Sequence, residues 1–483
     1  MYKKRKHHQE SFFDFNQGFG IPIDENNRWA KLAKDIPWDD LEDEYSSTLS
    51  KDKGAPAVSF RTMLGALIIQ NVYGLSDRSV TKEIQENAYL QYFLGFERFN
   101  PSDRPFDPSM LVRFRKRLTG DLLKECNEIY IDSKKKFLPE QTDHKNTLKQ
   151  FDDKKNEIAK YIAQGIILGA QNRKDALRLG HFENIGQIIT DASCCPVNIT
   201  YPTDTNLLNT ARIKVQDVVH KLCKKYKLKK PRMYKRKAQN KYLIFAKAKN
   251  PKKDTIRSMI KYELNCVRRN MNRFEELVQQ GALPNRQQLD IVMTAKAIYD
   301  QQKTMYDNNV NRIENRIVSF HMPFIRPIKR GKKPVETEFG PKIDISVDED
   351  GYTFLEHLSF DNYNESKNLK SIIERYRERT GNYPESVLVD KIYWTNENRD
   401  YCSKRNIRIS ATKRGKKFSD PEKQKKYEKT LKKDLNHRTS VERHFSREKH
   451  CFGIEKLKTK LPETIACCIS LAIFLDNIIP TGF

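Results

Sequence analysis

No apolar run in the chain approaches the roughly 18–20 residues of a membrane-spanning helix. The N-terminus, MYKKRKHHQESFFDF, is basic but lacks the apolar h-region of a secretory signal. A cytoplasmic protein is therefore expected, with no membrane partner. The nine cysteines contain no C-x-x-C pair. A zinc ribbon or finger needs spaced pairs, and a disulfide scaffold needs a far higher density, so both are excluded. The adjacent doublets Cys194–Cys195 and Cys467–Cys468 sit in apolar sequence and read as reduced thiols in a core. Acids are also short, with 63 Asp and Glu against 90 Lys and Arg in 483 residues, a formal net charge of +27. Such an excess implies a polyanionic partner, nucleic acid first.

The positive charge is unevenly placed. Lys221–Lys253 holds fifteen Lys or Arg and no acid, with Tyr226, Tyr234, Tyr242 and Phe245 interleaved. Unbalanced like charge on this scale is costly unless a polyanion neutralises it, so Lys224, Lys225, Lys235, Arg236 and Lys237 are candidate phosphate contacts on an exposed face. The interleaved tyrosines could pack on sugars or stack on bases. Earlier in the chain, Ser59 opens the apolar helix FRTMLGALIIQNVYG, Gly74 closes it, and Ser76 caps DRSVTKEIQEN, a spacing like that of a helix-turn-helix. The following MLVRFRKRL offers Arg113, Arg115, Lys116 and Arg117 to DNA. Trp29 and Trp38 read as anchors for the N-terminal arm.

Three carboxylates share a setting. ENIGQIITD and PESVLVD are short apolar strands that end in Asp191 and Asp390. LNHRTSVERHFSREK is a helix carrying Arg438, Glu442 and Lys449 at i, i+4 and i+11, turned only about 40° and 20° from the first, so all three lie on one stripe. Val441, Phe445 and Phe452 fall to one side and can face a core. A carboxylate between two cations suits a site where a hard cation meets phosphate. The chain order is strand, two-stranded hairpin joined at Asp350–Gly351, helix, strand, helix, short strand, helix. This is the order of an α/β ribonuclease-H-like core, a mixed sheet flanked by helices, with a helical insertion after the first strand. The expected divisions are an arm (1–50), an all-α DNA-binding domain (51–175), the first part of the core (176–205), a basic insertion (206–315) and the rest of the core (316–483).

These residues resemble the bacterial insertion-sequence transposases of the DDE superfamily, in the group marked by Y-x2-R-x3-E-x6-K. Arg438, Glu442 and Lys449 match three of the four marks, and Leu435 stands where the tyrosine belongs. SFRTMLGALIIQNVYGLSDRSV, NAYLQYFLGF, TDAS at Asp191, YPTDTNLLNTAR, RPIKRGK, EFGPKIDISV and VLVDKIYWTNENR at Asp390 are similar to segments of that family. The resemblance implies that Asp191, Asp390 and Glu442 bind two Mg²⁺ ions, with Mn²⁺ able to substitute, and that Arg438 and Lys449 bind phosphate near the element's end. It further implies double-stranded DNA partners (the inverted-repeat ends and a target), a homodimer that pairs two ends, hydrolysis of a phosphodiester, and strand transfer by the freed 3′-hydroxyl. Rival readings are an inactive DNA-binding relative, which Leu435 favours, a structure-specific nuclease, and a basic RNA-associated scaffold.

Overall fold

The computed structural model describes residues 23–47, 49, 58–135, 184–329, 337–412 and 420–483. The basic N-terminal tail, residues 136–175 of the expected all-α domain and residues 330–332 of the RPIKRGK stretch lie outside the described residues. Among the described residues no helix is long and apolar enough to cross a membrane.

The chain forms two units, each a mixture the sequence only partly foresees. The first comprises the chain as far as Cys195, then Lys342–Ser359 and Tyr363–Phe483. The second comprises Pro196–Pro341 and Phe360–Asn362. The insertion thus extends past 206–315 at both ends. The cause is local pairing: Val197 N–H donates to the Phe339 carbonyl (2.8 Å), and residues 327–329 pair with 337–339, so both flanks join the insertion. The N-terminal helices share a unit with the sheet.

Among the described residues of the first unit, seven helices come first: α1 (Arg28–Asp35), α2 (Trp38–Ser47), α3 (Phe60–Tyr73), α4 (Asp77–Glu86), α5 (Ala88–Phe93), α6 (Ser109–Arg117) and α7 (Gly120–Lys134). Ser59 and Ser76 cap α3 and α4 by accepting from the Thr62 and Ser79 amides, and Gly74 ends α3 at φ +63. Trp29 and Trp38 are buried and both meet Phe93 edge-on, which pins the arm. Strand β1 (Gln187–Cys194) follows.

The second unit is mostly helical: α8 (Asp204–Lys225), α9 (Lys235–Lys247), α10 (Lys253–Gln279) and α11 (Arg286–Asp307), with the small hairpin β2 (Pro327–Lys329) and β3 (Thr337–Phe339). The α10–α11 turn passes through Gly281 at φ +89. Arg212 and Glu263, both buried, pair at 3.0 Å between α8 and α10.

The first unit resumes with β4 (Lys342–Val347), β5 (Thr353–Ser359), α12 (Leu369–Thr380), β6 (Ser386–Leu388), α13 (Asn396–Ser403), β7 (Arg408–Ser410), α14 (Pro421–His450) and α15 (Pro462–Ile478). The five-stranded sheet has the order β5-β4-β1-β6-β7, antiparallel on the β4–β5 side and parallel on the β6–β7 side. This is a mixed α/β fold with a helical N-terminal region. One face of the sheet buries Ile188, Val387 and Val389 against Leu369, Ile372, Ile373 and Tyr376 of α12. α15, apolar around most of its circumference, is buried as the closing helix.

Gly186 sets the entry to β1. It sits at φ +86, where a side chain is strained, and a Cβ there would lie 2.2 Å from the Tyr376 hydroxyl and 2.7 Å from both Glu349 carboxylate oxygens. Tyr376 needs that space, because its hydroxyl donates to the Ile185 carbonyl at 3.0 Å. Gly186→Ala should therefore cost about 2–4 kcal/mol, strain and overpacking together, read as a lower urea midpoint.

Candidate active site

Asp191 lies inside β1 and not at its end, a departure from the sequence reading. β1 runs on because Ser193 and Cys194 continue to pair with Ile343 and Lys342 of β4. On its other side β1 loses its partner early, since β6 stops at Leu388. The parallel register aligns Ile189 with Leu388. Continued two residues further, it places Asp191 opposite Asp390 on the same face of the sheet. Asp191 thus stands where the sheet opens, though its own strand goes on. Asp390 is exposed just beyond β6, and its carboxylate accepts from the Lys391 amide at 2.7 Å.

α14 is a single helix of 30 residues, and its stripe turns toward β1. The Arg438 guanidinium places Nη1 3.5 Å from Asp191 Oδ2 and Nη2 3.5 Å from Glu442 Oε1. Lys449 Nζ donates to Ser193 Oγ at 2.7 Å, two residues past Asp191 on the same face of the strand. Val441 and Phe445 are buried as the helix pattern requires, and Asp434 anchors the helix to β7 by pairing with Arg408 and accepting from Ser410 Oγ. Leu435, at the signature's tyrosine position, is exposed.

Burial pushes the Asp191 carboxyl up to about 6. The Ala192 amide and Arg438 oppose that shift, and the charges of Glu365 and Asp390 add to it. Glu365 therefore belongs to the same electrostatic neighbourhood, and sequence reasoning missed it. It pairs with Lys342 at 2.5 Å. Asp344 was missed as well. It is fully buried on β4, accepts from Tyr363 Oη (2.7 Å) and Asn368 Nδ2 (2.6 Å), and is also raised to about 6 by burial. Its signal was visible in KIDISV, where an acid alternates with isoleucines on a core strand. Tyr393, three residues past Asp390, is wholly buried. Desolvation, with the charges of Asp344, Glu365 and Asp191, raises its hydroxyl well above the usual range. Trp394 packs against the neighbouring core cluster.

The proposed DNA contacts separate into two groups. Arg113, Lys116 and Arg117 are exposed. Arg115 is not free: it reaches Asp77 at 2.6 and 3.0 Å and Gln70 at 2.5 Å, tying α6 to α3 and α4. A groove of about 820 Å³ beside it is lined by Arg78, Lys82 and Arg104, none of which the sequence singled out. In the second unit Lys224, Lys225, Lys235, Arg236 and Lys237 are all exposed. Its tyrosines are engaged with their own neighbours. Tyr226 donates to the Leu283 carbonyl, Tyr242 to Asn206, and Tyr234 lies under both Arg232 and Arg269.

Comparison with known proteins adds the family. A family model described as a transposase domain (DUF772) matches residues 20–117, and one described as a transposase DDE domain matches residues 387–478. The second includes Asp390, Arg438, Glu442 and Lys449, while Asp191 lies outside it. Together the two matches support an insertion-sequence transposase of the DDE type. The chain is 33% identical over 104 residues to the uncharacterized protein ORF8 in the nfe locus of Rhizobium meliloti, a match that spans 22% of this chain and 49% of that relative. No solved structure matches the chain.

Proposed function

We propose that the chain binds the terminal inverted repeats of its own element, hydrolyses a phosphodiester at each end, and joins the freed 3′-hydroxyl to target DNA. The observation that carries this reading is the Arg438 guanidinium set between Asp191 and Glu442, with the Asp390 charge near enough to act on Asp191. The sheet order, with the first strand central and flanked by the hairpin on one side and two parallel strands on the other, supports the reading of a ribonuclease-H-like core. The net charge of +27 and the exposed basic segments supply affinity for DNA. Pairing two ends calls for two copies of the chain.

The residues fit a hard divalent cation in their chemistry. The donors are all carboxylate oxygens, and the buried Asp191 is crowded by like charge. Among the described residues no three acidic, histidine or cysteine side chains stand close enough to hold an ion as they are. Asp191, Asp390 and Glu442 would hold two Mg²⁺, or Mn²⁺ in their place. When bound, such ions activate the attacking water and stabilise both oxygens of an in-line displacement. Lys449, fixed on Ser193, and Arg438 face the same opening and would meet the scissile strand's phosphates.

The test is cleavage of a labelled duplex carrying the element's own end, with Mg²⁺ or Mn²⁺. Wild type should cut at the end, and Glu442→Ala should bind the duplex with unchanged affinity and leave it intact. A strand-transfer product distinguishes a transposase from a nuclease of the same fold. Binding without cleavage by wild type would support the inactive relative, and Leu435→Tyr would then be the change to try.

A further inference from the structure

Arg438 stands between two acids on poor terms with both. Its two contacts, 3.5 Å each, are long beside the roughly 2.7–2.9 Å of a tight charge-assisted bond. Its Nε is buried and has no hydrogen-bond partner. A guanidinium binds best as a planar fork on one carboxylate or phosphate, and here the fork is split across two groups. The same unit shows a tight arrangement elsewhere: Arg375 and Arg379 each reach Glu356 at 2.6 Å. The Arg438 contacts do bound the site. With 3.5 Å on each side of the fork, Asp191 Oδ2 and Glu442 Oε1 are at most about 9 Å apart.

We propose that Arg438 is a displaceable counter-ion: it neutralises Asp191 and Glu442 until DNA arrives, competes with the divalent cation for them, and leaves for a DNA phosphate. A fixed positive charge a few ångströms from a dication's seat opposes its binding. Moved onto a phosphate, the guanidinium gains the bidentate geometry it lacks between the acids. By linkage, whatever DNA does for metal affinity, metal does for DNA affinity. The arrangement would hold the cutting chemistry back until a strand is in place. This inference rests on the reading of these acids as a metal site.

The experiment measures Mn²⁺ binding to the full chain without DNA, by titration calorimetry, in wild type, Arg438→Gln and Asp191→Asn. Arg438→Gln should bind Mn²⁺ at least about tenfold more tightly than wild type. A short random-sequence duplex should tighten Mn²⁺ binding by wild type more than by Arg438→Gln. If Arg438 instead holds the carboxylates in place for the ion, Arg438→Gln binds Mn²⁺ equally or less well, and the proposal fails. Asp191→Asn separates the two levels. If it binds Mn²⁺ like wild type, the metal-site reading fails and takes the proposal with it. If it loses the ion while Arg438→Gln gains nothing, only the counter-ion role fails. Should Arg438→Gln not fold, a structure of wild type with Mn²⁺ decides: a guanidinium still between the two acids beside the bound ion overturns the proposal.

Discussion

At neutral pH Asp191→Asn is expected to melt higher than wild type and to lose metal-dependent cleavage by about a thousandfold or more. Both effects have one source. The Asp191 carboxyl is raised from 3.8 to about 6, first by burial. A folded-state pKa above the unfolded value means the folded state holds its proton more tightly. The contribution to stability is full below about 3.8 and is lost as pH rises through about 6. Above that, the buried charge costs about 2–3 kcal/mol, which an uncharged asparagine of the same shape avoids. The two proteins should therefore be equally stable near pH 3.5 and separate between pH 4 and 7. Thermal melting across that range, with duplex binding and cleavage on the same samples, checks the claim. Mn²⁺ should raise the wild-type melting temperature and leave Asp191→Asn unmoved. A variant that melts no higher at pH 7 would show that Asp191 is not strained by its burial, and one that still cuts would remove it from the chemistry.

The largest stability effect is expected at Glu356. It is buried on β5 and accepts from Arg375 Nε and Arg379 Nη2 at 2.6 Å and from Ser346 Oγ at 2.5 Å. Burial alone would raise its carboxyl, but the Arg379 and Arg375 charges and their hydrogen bonds overrule it, and the net shift is downward. Glu356→Ala leaves Arg379 buried and unpaired and should cost about 3–5 kcal/mol in urea unfolding. Glu356→Gln should cost less, because it keeps the shape and part of the bonding. A lowered folded pKa contributes stability that is present above the unfolded value and lost as pH falls through the folded one. The wild type's advantage over Glu356→Gln should accordingly shrink in acid, below about pH 4.5. The consequence reaches the site, since these arginines hold α12 against the sheet that carries Asp191 and Asp344.

Much of this was legible in the chain because local rules act on neighbours. Ser59, Gly74 and Ser76 mark helix ends wherever the helices pack, since capping satisfies amides within a turn. Asp350–Gly351 marks a hairpin for the same reason, and the Asp348 carboxylate accepts from both the Asp350 and Tyr352 amides there. The i, i+4, i+11 spacing put Arg438, Glu442 and Lys449 on one stripe before any partner was known. The ion pair of Arg115 was not foreseen because its partner, Asp77, lies 38 residues away and nothing local signals it. Glu365 and Asp344 were missed because neither ends a strand nor sits in a charged motif, and their weight comes from burial beside β1.

By itself the sequence determined the capped ends of α3 and α4, the excess of positive charge and where it concentrates, and which charges of α14 share one face, because these follow from composition and from spacing along one backbone. Only the tertiary structure decided that β1 continues past Asp191 while β6 stops short of Asp390. It alone set the guanidinium of Arg438 between Asp191 and Glu442, and gave the insertion both its flanks. The reason is physical. Strand register, burial and the reach of a charge depend on which distant segments meet, and pairings hundreds of residues apart leave no periodic trace in either segment.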